Sequence, residues 1–521
     1  MIQAPEGQWR CTSERRATTN FSPDLPVALT VAELPGEGGA PSARFLLLNT
    51  QQFLFICSPQ ALDREPLRVV DFRSLGASAA GPVFPTCHAF APSCADGFDL
   101  AVGLSTGEVV LLSLRAQLKA LPSNTRPASS LCLNVDGCTN ASRCVALAWL
   151  PGSEGTAFVA AHRDGAVLLY HKVVGSSSDT KLLARSSSQH SLRPPITQLQ
   201  APGVGGGATA AAVSPDGQHV AVACKDGVLR VYACPSGGLV AGFKSYYGGL
   251  HCCAWSPDGR YVAAGGEDDL VALYGLAERC LVACCQGHCS WVSGVAFDPW
   301  MCHTEADPQQ AQPPEAAAAG AGGAAPPAVP PLGPGGGERV YRLASVGQDC
   351  QLALWDVVVS EEAVAAAQQA SSANASPERE RPGLPLSPSK RRAGGGSVSS
   401  GGGEKANGSP TKRGGSGRGG MFRTRSSGAA ADPGALPAAL ATGLIAPPLP
   451  RADWPLVTPV AILKAHPEPA SAVAFSSAGL FTACHGTSAR AWARPPLTQA
   501  AVIQRIDSLH SMDRAASIDQ H

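Results

Sequence analysis

The chain has 521 residues with 40 Lys+Arg against 40 Asp+Glu, so no net charge draws it to nucleic acid or to an anionic membrane. No apolar run approaches the roughly twenty residues of a membrane span, and Met1-Ile2-Gln3-Ala4-Pro5-Glu6 lacks the basic start and apolar stretch of a secretory signal. The 18 cysteines are therefore expected as thiols in a reducing compartment.

Residues 1–25 are polar and are expected to form a flexible N-terminus. Val27 to Val31, Phe45 to Leu48 and Phe53 to Cys57 predict short strands. A second unit runs from Thr86-Cys87-His88 through Leu100-Ala101-Val102-Gly103 to Leu112. A third runs from Cys144 through Phe158 to His162, Asp164-Gly165 and Tyr170. A fourth runs from Thr209 through Ser214-Pro215-Asp216-Gly217 and Asp226-Gly227 to Tyr232. A fifth reads Tyr246-Tyr247-Gly248-Gly249-Leu250, Trp255-Ser256-Pro257-Asp258-Gly259 and Gly265-Gly266-Glu267-Asp268-Asp269. Ser-Pro-Asp-Gly is a turn with a mechanism: Pro fixes φ, Gly accepts positive φ, and Asp bonds its own backbone. The sixth unit opens at Gly287-His288 and Trp291-Val292 and reaches Phe297-Asp298-Pro299. It resumes at Ser345-Val346-Gly347-Gln348-Asp349 and closes on Leu354-Trp355-Asp356. The last contains Pro459 to Leu463, Ser471 to Phe475 and His485-Gly486, and ends at Trp492.

Four units align on a turn carboxylate, Asp164, Asp226, Asp268 and Asp349, each followed six residues later by Tyr170, Tyr232, Tyr274 or Trp355. Gly-His at the start with Trp-Asp at the close is the signature of a WD40 blade. The expected fold is all-β: a WD40 β-propeller of seven blades with disordered inserts, one terminal blade being completed by a strand from the opposite terminus. Blades one to six begin within 26–300, and 339–358 ends blade six. The last blade is 456–495, and 496–521 is a flexible tail. Its turn carries Gly486 in place of Asp, so its side-chain network should be degraded.

His288, Ser345, Asp349 and Trp355 form the side-chain set that holds such a blade together. A hydrolase reading of the same trio fails because Ser345 would lie inside a strand rather than on an exposed elbow. A metal cluster at Cys284, Cys285, His288 and Cys289 lacks a CxxC pair, so no metal or cofactor is expected. No glycine-rich phosphate loop or paired carboxylates were found, and no enzymatic activity is expected.

Residues 301–338 and 359–455 are Ala, Pro, Gly and Ser stretches that cannot bury enough apolar surface to fold. Within the second, Ser387-Pro388-Ser389-Lys390 and Ser409-Pro410-Thr411-Lys412 fit proline-directed kinase sites at Ser387 and Ser409, beside basic residues that a phosphate would offset. Lys390-Arg391-Arg392 also fits a nuclear import signal, so residence is expected to be cytoplasmic, nuclear or both. Two RGG steps, at Arg413 and Arg418, are too few and too poor in aromatics to favour RNA over a solvated linker.

Thr86-Cys87-His88, Lys244 to Leu250, Trp255 to Tyr261, Gly265 to Val271, Gly287 to Ser293, Ala296-Phe297-Asp298-Pro299 and Tyr341-Arg342 with Ser345 to Asp349 resemble one family. It is that of the fungal catabolite-repression protein CreC and its animal relatives, including the dystrophia myotonica WD-repeat protein. The resemblance covers roughly residues 80–360 well and the final blade loosely. It implies a non-catalytic scaffold that binds a ubiquitin-specific protease and activates or stabilises it, with a second WD-repeat protein joining the complex in animals. Tyr247 and Trp291 precede innermost strands of neighbouring blades, in places expected to be equivalent, and are candidate anchors. Tyr246, Lys244, Ser245 and Ser290 are secondary candidates. The bland alternative is that the aromatics wedge between blades. Competing functions are a substrate receptor of a cullin-type ubiquitin ligase, for which the Trp-Asp-x-Arg motif is missing at Trp355-Asp356-Val357-Val358, and an RNA-associated scaffold.

Overall fold

One backbone feature repeats along the chain. The residue after each turn aspartate, or its counterpart, has positive φ: Gly107 at 88°, Gly165 at 98°, Gly227 at 76°, and Asp269, Cys350 and Thr487 each at 64°, with Gln51 at 51° in the first unit. Glycine takes this left-handed conformation at no steric cost, which accounts for Asp-Gly in the third and fourth units.

The computed structural model describes residues 1–16, 25–36, 42–75, 82–121, 123–172, 196–200, 206–304, 339–360, 362, 364–369 and 443–496. Among them are seven sheets whose innermost strands are Leu29–Leu34, Pro85–Phe90, Cys144–Trp149, Ala208–Val213, Leu250–Trp255, Val292–Phe297 and Ala470–Ser476. Each innermost strand neighbours the next, and Ala470–Ser476 neighbours Leu29–Leu34, so the ring closes. The fold is a seven-bladed all-β WD40 propeller. An apolar cluster fills each junction between blades. At the closure, Leu29, Leu46 and Leu48 of blade one pack on Phe481, Ala483 and Ala491 of blade seven.

The first strand of six blades carries a bulge after its first residue, at Thr86, Val145, Thr209, His251, Ser293 and Ser471. A hydroxyl there ties two blades together. Thr209 Oγ1 donates at 2.9 Å to the Ala223 carbonyl of its own blade and lies 2.7 Å from the Leu250 carbonyl of the next. Thr86 bridges Gly103 and Cys144 in the same way, and Ser293 bridges Val346 and Ala470. Blades three and five depart from this pattern, with Val145 and His251.

Three expectations about the ends need correction. Residues 2–15 are not loose: Gly7–Arg15 pairs with Ala489–Ala493 as the fourth strand of blade seven, and Ile2–Ala4 extends that sheet. Trp9 is fully buried, and Glu6 meets the buried Arg342, which in turn holds Asp356 at 2.7 and 2.9 Å. An outer strand with one apolar anchor reads as polar loop in sequence, which is why it was missed. Second, Ala461–Lys464 pairs with Gln351–Val359 as the fourth strand of blade six, so blade six does not end at 358 and the last blade does not start at 456. Each sequence repeat spans the outer strand of one blade and three strands of the next.

Third, the stretch 359–455 is not wholly without structure. Residues 364–369 are helical, with Ala367 in the core between blades five and six. Residues 443–457 then run along the propeller's outer edge. Ile445–Ala446 pairs parallel with Leu239–Lys244 of blade four, and Leu456–Val457 with Cys280–Gln286 of blade five. Gly242 makes room for this strap, since a Cβ there would lie 2.8 Å from Ile445 Cγ1. Buried Ile445 and Leu449 are the apolar anchors that a proline-rich composition concealed. The segments 305–338 and 370–442 lie outside the described residues.

Candidate rim site on blades five and six

Backbone bonds place the lead-in loops beside the turns between second and third strands. The N–H groups of Arg163, Lys225, Glu267 and Gln348 donate to the carbonyls of Arg143, Gly207, Gly249 and Trp291 at 2.8–3.0 Å. All these residues therefore share one face of the ring.

In blade six, the predicted four side chains form one chain of hydrogen bonds. Trp355 Nε1 donates to Ser345 Oγ at 2.8 Å, Ser345 Oγ lies 2.8 Å from His288 Nε2, and His288 Nδ1 lies 2.9 Å from Asp349 Oδ2. The Asp349 carboxylate can only accept, which puts a ring proton on Nδ1, and the hydroxyl that accepts from the indole keeps its own proton for Nε2. Burial pushes the Asp349 carboxyl up, but the His288 ring and the Cys289 and Gln351 N–H groups outweigh it and hold it below the usual range. Ser345 is fully buried inside Arg339–Gly347, closed to any substrate. Its place is structural.

Blade seven repeats the chain with different residues. Trp492 Nε1 donates to Thr482 Oγ1 at 3.1 Å, Thr482 Oγ1 lies 2.8 Å from His466 Nε2, and His466 Nδ1 lies 3.0 Å from Ser488 Oγ. The expected degraded network is thus complete, with Ser488 standing in for the missing carboxylate. Position-by-position alignment on Gly486 could not find it, because Ser488 sits two residues further on.

The other turn carboxylates are also occupied. Asp164 accepts from Asn140 Nδ2 at 2.9 Å and from the Ala166 N–H at 3.0 Å. Asp226 holds Arg230 at 3.0 and 2.7 Å. Asp268 accepts from the backbone N–H groups of Leu270, Tyr247 and Tyr246, and burial raises its pKa to about 6. That carboxylate fixes the loop that carries the two tyrosines.

Tyr246, Tyr247 and Trp291 are exposed by 51%, 70% and 38%. They are the exposed aromatics among the described residues, and all three sit on two neighbouring loops. Tyr247 and Trp291 are not equivalent positions, contrary to expectation. The ladders start with Leu250 opposite Gly266 and Val292 opposite Gly347, so Trp291 matches Gly249, and Tyr247 matches Cys289. The two glycines at 248 and 249 had hidden the offset. Trp291 also packs, stacking on His251 of blade five at 5.4 Å between centroids, with His251 Nε2 3.5 Å from Glu267. The wedge and the exposed anchor are therefore two faces of one ring.

The secondary candidates divide. Tyr246 meets Trp454 of the strap edge-on at 4.8 Å. Trp454 is in turn fixed by its Nε1 donating to the Leu449 carbonyl at 3.1 Å. Lys244 spends its ammonium on the Asp226 carbonyl, and Ser245 Oγ bonds the Gly248 carbonyl at 3.0 Å, so both shape the loop. Ser290 is half-buried beside exposed Cys289. His251 and Trp454 belong to this surface and escaped the sequence reading. The only signal was a histidine where four other blades carry Thr or Ser.

Cys284 and Cys285 are buried, and burial pushes the Cys284 thiol up to about 12. Among the described residues no three His, Cys, Asp or Glu side chains are grouped to hold a metal ion. All 18 cysteines are free thiols. Ser387 and Ser409 lie outside the described residues.

Comparison with known proteins agrees with the geometry. The WD domain, G-beta repeat family matches residues 194–233 and 237–274. Each match takes in the outer strand of one blade and ends on the third strand of the next. WD repeat-containing protein 20 of Mus musculus is 34% identical over 292 residues, covering 52% of this chain and 50% of that protein. The chain thus spans about half the length of that relative.

Proposed function

We propose that this WD-repeat propeller is a non-catalytic scaffold that docks a ubiquitin-specific protease on the rim of blades five and six and activates or stabilises it. The observation that carries the docking surface is the grouping of Tyr246, Tyr247 and Trp291, exposed together on adjacent loops while the other described aromatics are buried or partly buried. Exposed aromatics on a rigid loop lose little entropy on binding and dominate interface hot spots. The loop is rigid here because Asp268 and Ser245 tie its backbone. The identity of the partner is supported by the family resemblance of residues 80–360. A second WD-repeat protein in the complex, phosphorylation at Ser387 and Ser409, and cytoplasmic or nuclear residence follow from the same reading.

Tyr247→Ala with Trp291→Ala is the direct test. Two hot-spot aromatics at about 2 kcal/mol each predict an affinity loss of roughly a thousand-fold, with the melting temperature kept by the remaining core. Affinity capture with the full chain should recover the protease with the parent chain and lose it with the double variant. Equal recovery from a folded double variant would remove the rim from the proposal. Recovery of a cullin adaptor instead would replace the function.

A further inference from the structure

The rim of blades five and six also presents a carboxylate. Glu267 stands on the turn between the second and third strands of blade five, one residue before Asp268. Its side chain lies over the lead-in loop of the same blade. A Cβ on Gly248 would sit 2.6 Å from Glu267 Cβ and 2.7 Å from Oε2, and one on Gly249 would sit 3.4 Å from Oε1. The two glycines that follow Tyr247 therefore leave the space that this side chain fills. On the other side Oε1 is 3.5 Å from His251 Nε2, and the His251 ring stacks on Trp291. The carboxylate thus sits between the Tyr247 loop and the Trp291 stack, with 31% of its side chain exposed.

Among the described residues no Lys or Arg pairs with Glu267. Lys244 bonds the Asp226 carbonyl, and Lys225 runs over Gly207, its Cδ 3.7 Å from where a Cβ would be. His251 does not supply the missing charge. Its Nε2 has no hydrogen-bond partner among the described residues, and burial holds the ring below its usual pKa against the pull of Glu267. Asp268 beside it is already engaged by three backbone N–H groups, so Glu267 is the acid this surface offers. A half-exposed carboxylate flanked by exposed aromatic rings suits one kind of side chain. A guanidinium donates two N–H bonds to the two oxygens while its flat face rests on a ring; an ammonium is a point charge without that planar fork. From Glu267 between Tyr247 and Trp291 we infer a seat for an arginine of the docking partner, so that the rim selects a segment carrying arginine among apolar residues. The occupant rests on the docking reading above; the seat adds the charge that the occupant must bring.

The test is saturation-transfer NMR on the full chain with three peptides: acetyl-Leu-Arg-Leu-amide and its counterparts with citrulline and with lysine in the middle. Citrulline keeps the shape of arginine and removes the charge. The parent chain should bind the arginine peptide about ten-fold more tightly than the citrulline one, and more tightly than the lysine one. Glu267→Gln keeps the shape of the side chain, should leave the melting temperature unchanged, and should make the arginine and citrulline peptides bind alike. Tyr247→Ala with Trp291→Ala should weaken the arginine peptide too, since an ion pair this exposed gains little alone. No binding by the parent chain, equal binding of arginine and citrulline, an arginine preference that survives Glu267→Gln, or unchanged binding by the aromatic double variant overturns the seat. Tighter binding of lysine overturns the choice of arginine. Affinity capture separates this from the docking proposal. A ubiquitin-specific protease held equally by the parent and by Glu267→Gln keeps the docking and removes the seat; arginine discrimination without a captured protease does the reverse.

Discussion

Replacing Arg342 by leucine is expected to cost about 3–5 kcal/mol of stability, because it strands two buried carboxylates. Arg342 is fully buried, and its guanidinium is shared between Glu6 of the N-terminal segment and Asp356 of the Trp-Asp close. Glu6 also accepts from Trp9 Nε1 at 2.8 Å, so the ion cluster anchors the strand that completes blade seven. Losing it should release Gly7–Arg15 and open the ring at blade seven. A chemical-denaturation curve measures the loss, and limited proteolysis within residues 1–15 locates it. Adding Glu6→Gln and Asp356→Asn to Arg342→Leu should return part of the stability, since neutral amides are cheaper to bury than unpaired carboxylates. A loss under about 1 kcal/mol would mean that water reaches the cluster.

Acid is expected to unfold the propeller well above the pH at which ordinary carboxylates titrate. Burial holds His88 at about 4 and holds His466, which also faces Arg490, at about 3. His162, His251 and His485 are shifted in the same direction by burial. A neutral native histidine with a lowered pKa contributes stability fully above about 6.5, where the unfolded chain is neutral too. As pH falls below 6.5 the unfolded state takes protons that the native state refuses, and each such histidine loses about 1.4 kcal/mol per pH unit down to its native pKa. Asp99 and Asp268, both raised to about 6 by burial, and Asp269, raised in the same direction, oppose this above the usual carboxylate range, but they are three groups against five. The melting temperature should therefore drop steadily from pH 7 to pH 4.5. His466→Gln should flatten part of that slope, because an amide can accept from Thr482 and donate to Ser488 without titrating. A melting temperature that stays level or rises over that range would contradict the burial of these rings.

What could be read from sequence follows from where periodic signals survive. The second and third strands of blades two to six are buried on both faces and joined by turns that demand positive φ, so Asp164-Gly165 and Asp226-Gly227 mark them plainly. The tetrad of His288, Ser345, Asp349 and Trp355 could be found because side-chain geometry fixes its spacing within one blade. The outer strands carry no such mark. Gly7–Arg15 hides its single anchor, Trp9, among polar residues, and Ala461–Lys464 lies about a hundred residues from the strand it pairs with. The strap escaped for a related reason: two-residue parallel pairings leave no periodicity, and Ile445 and Leu449 stand among prolines. At the rim, exposure of Tyr247 and Trp291 was legible from their position before a strand. Their true register was not, because it depends on where each bulged ladder begins. The His251 stack depends on a contact between blades that no linear pattern encodes.

Hydrogen–deuterium exchange of the chain alone and with a ubiquitin-specific protease tests the central claim most directly. Docking on the rim predicts slowed exchange confined to residues 244–251 and 287–293, with the turns at Ser214–Gly217 and Ser256–Gly259 on the opposite face unchanged. Protection of those opposite turns, or a saturated complex with no protection at 244–251 and 287–293, would contradict it.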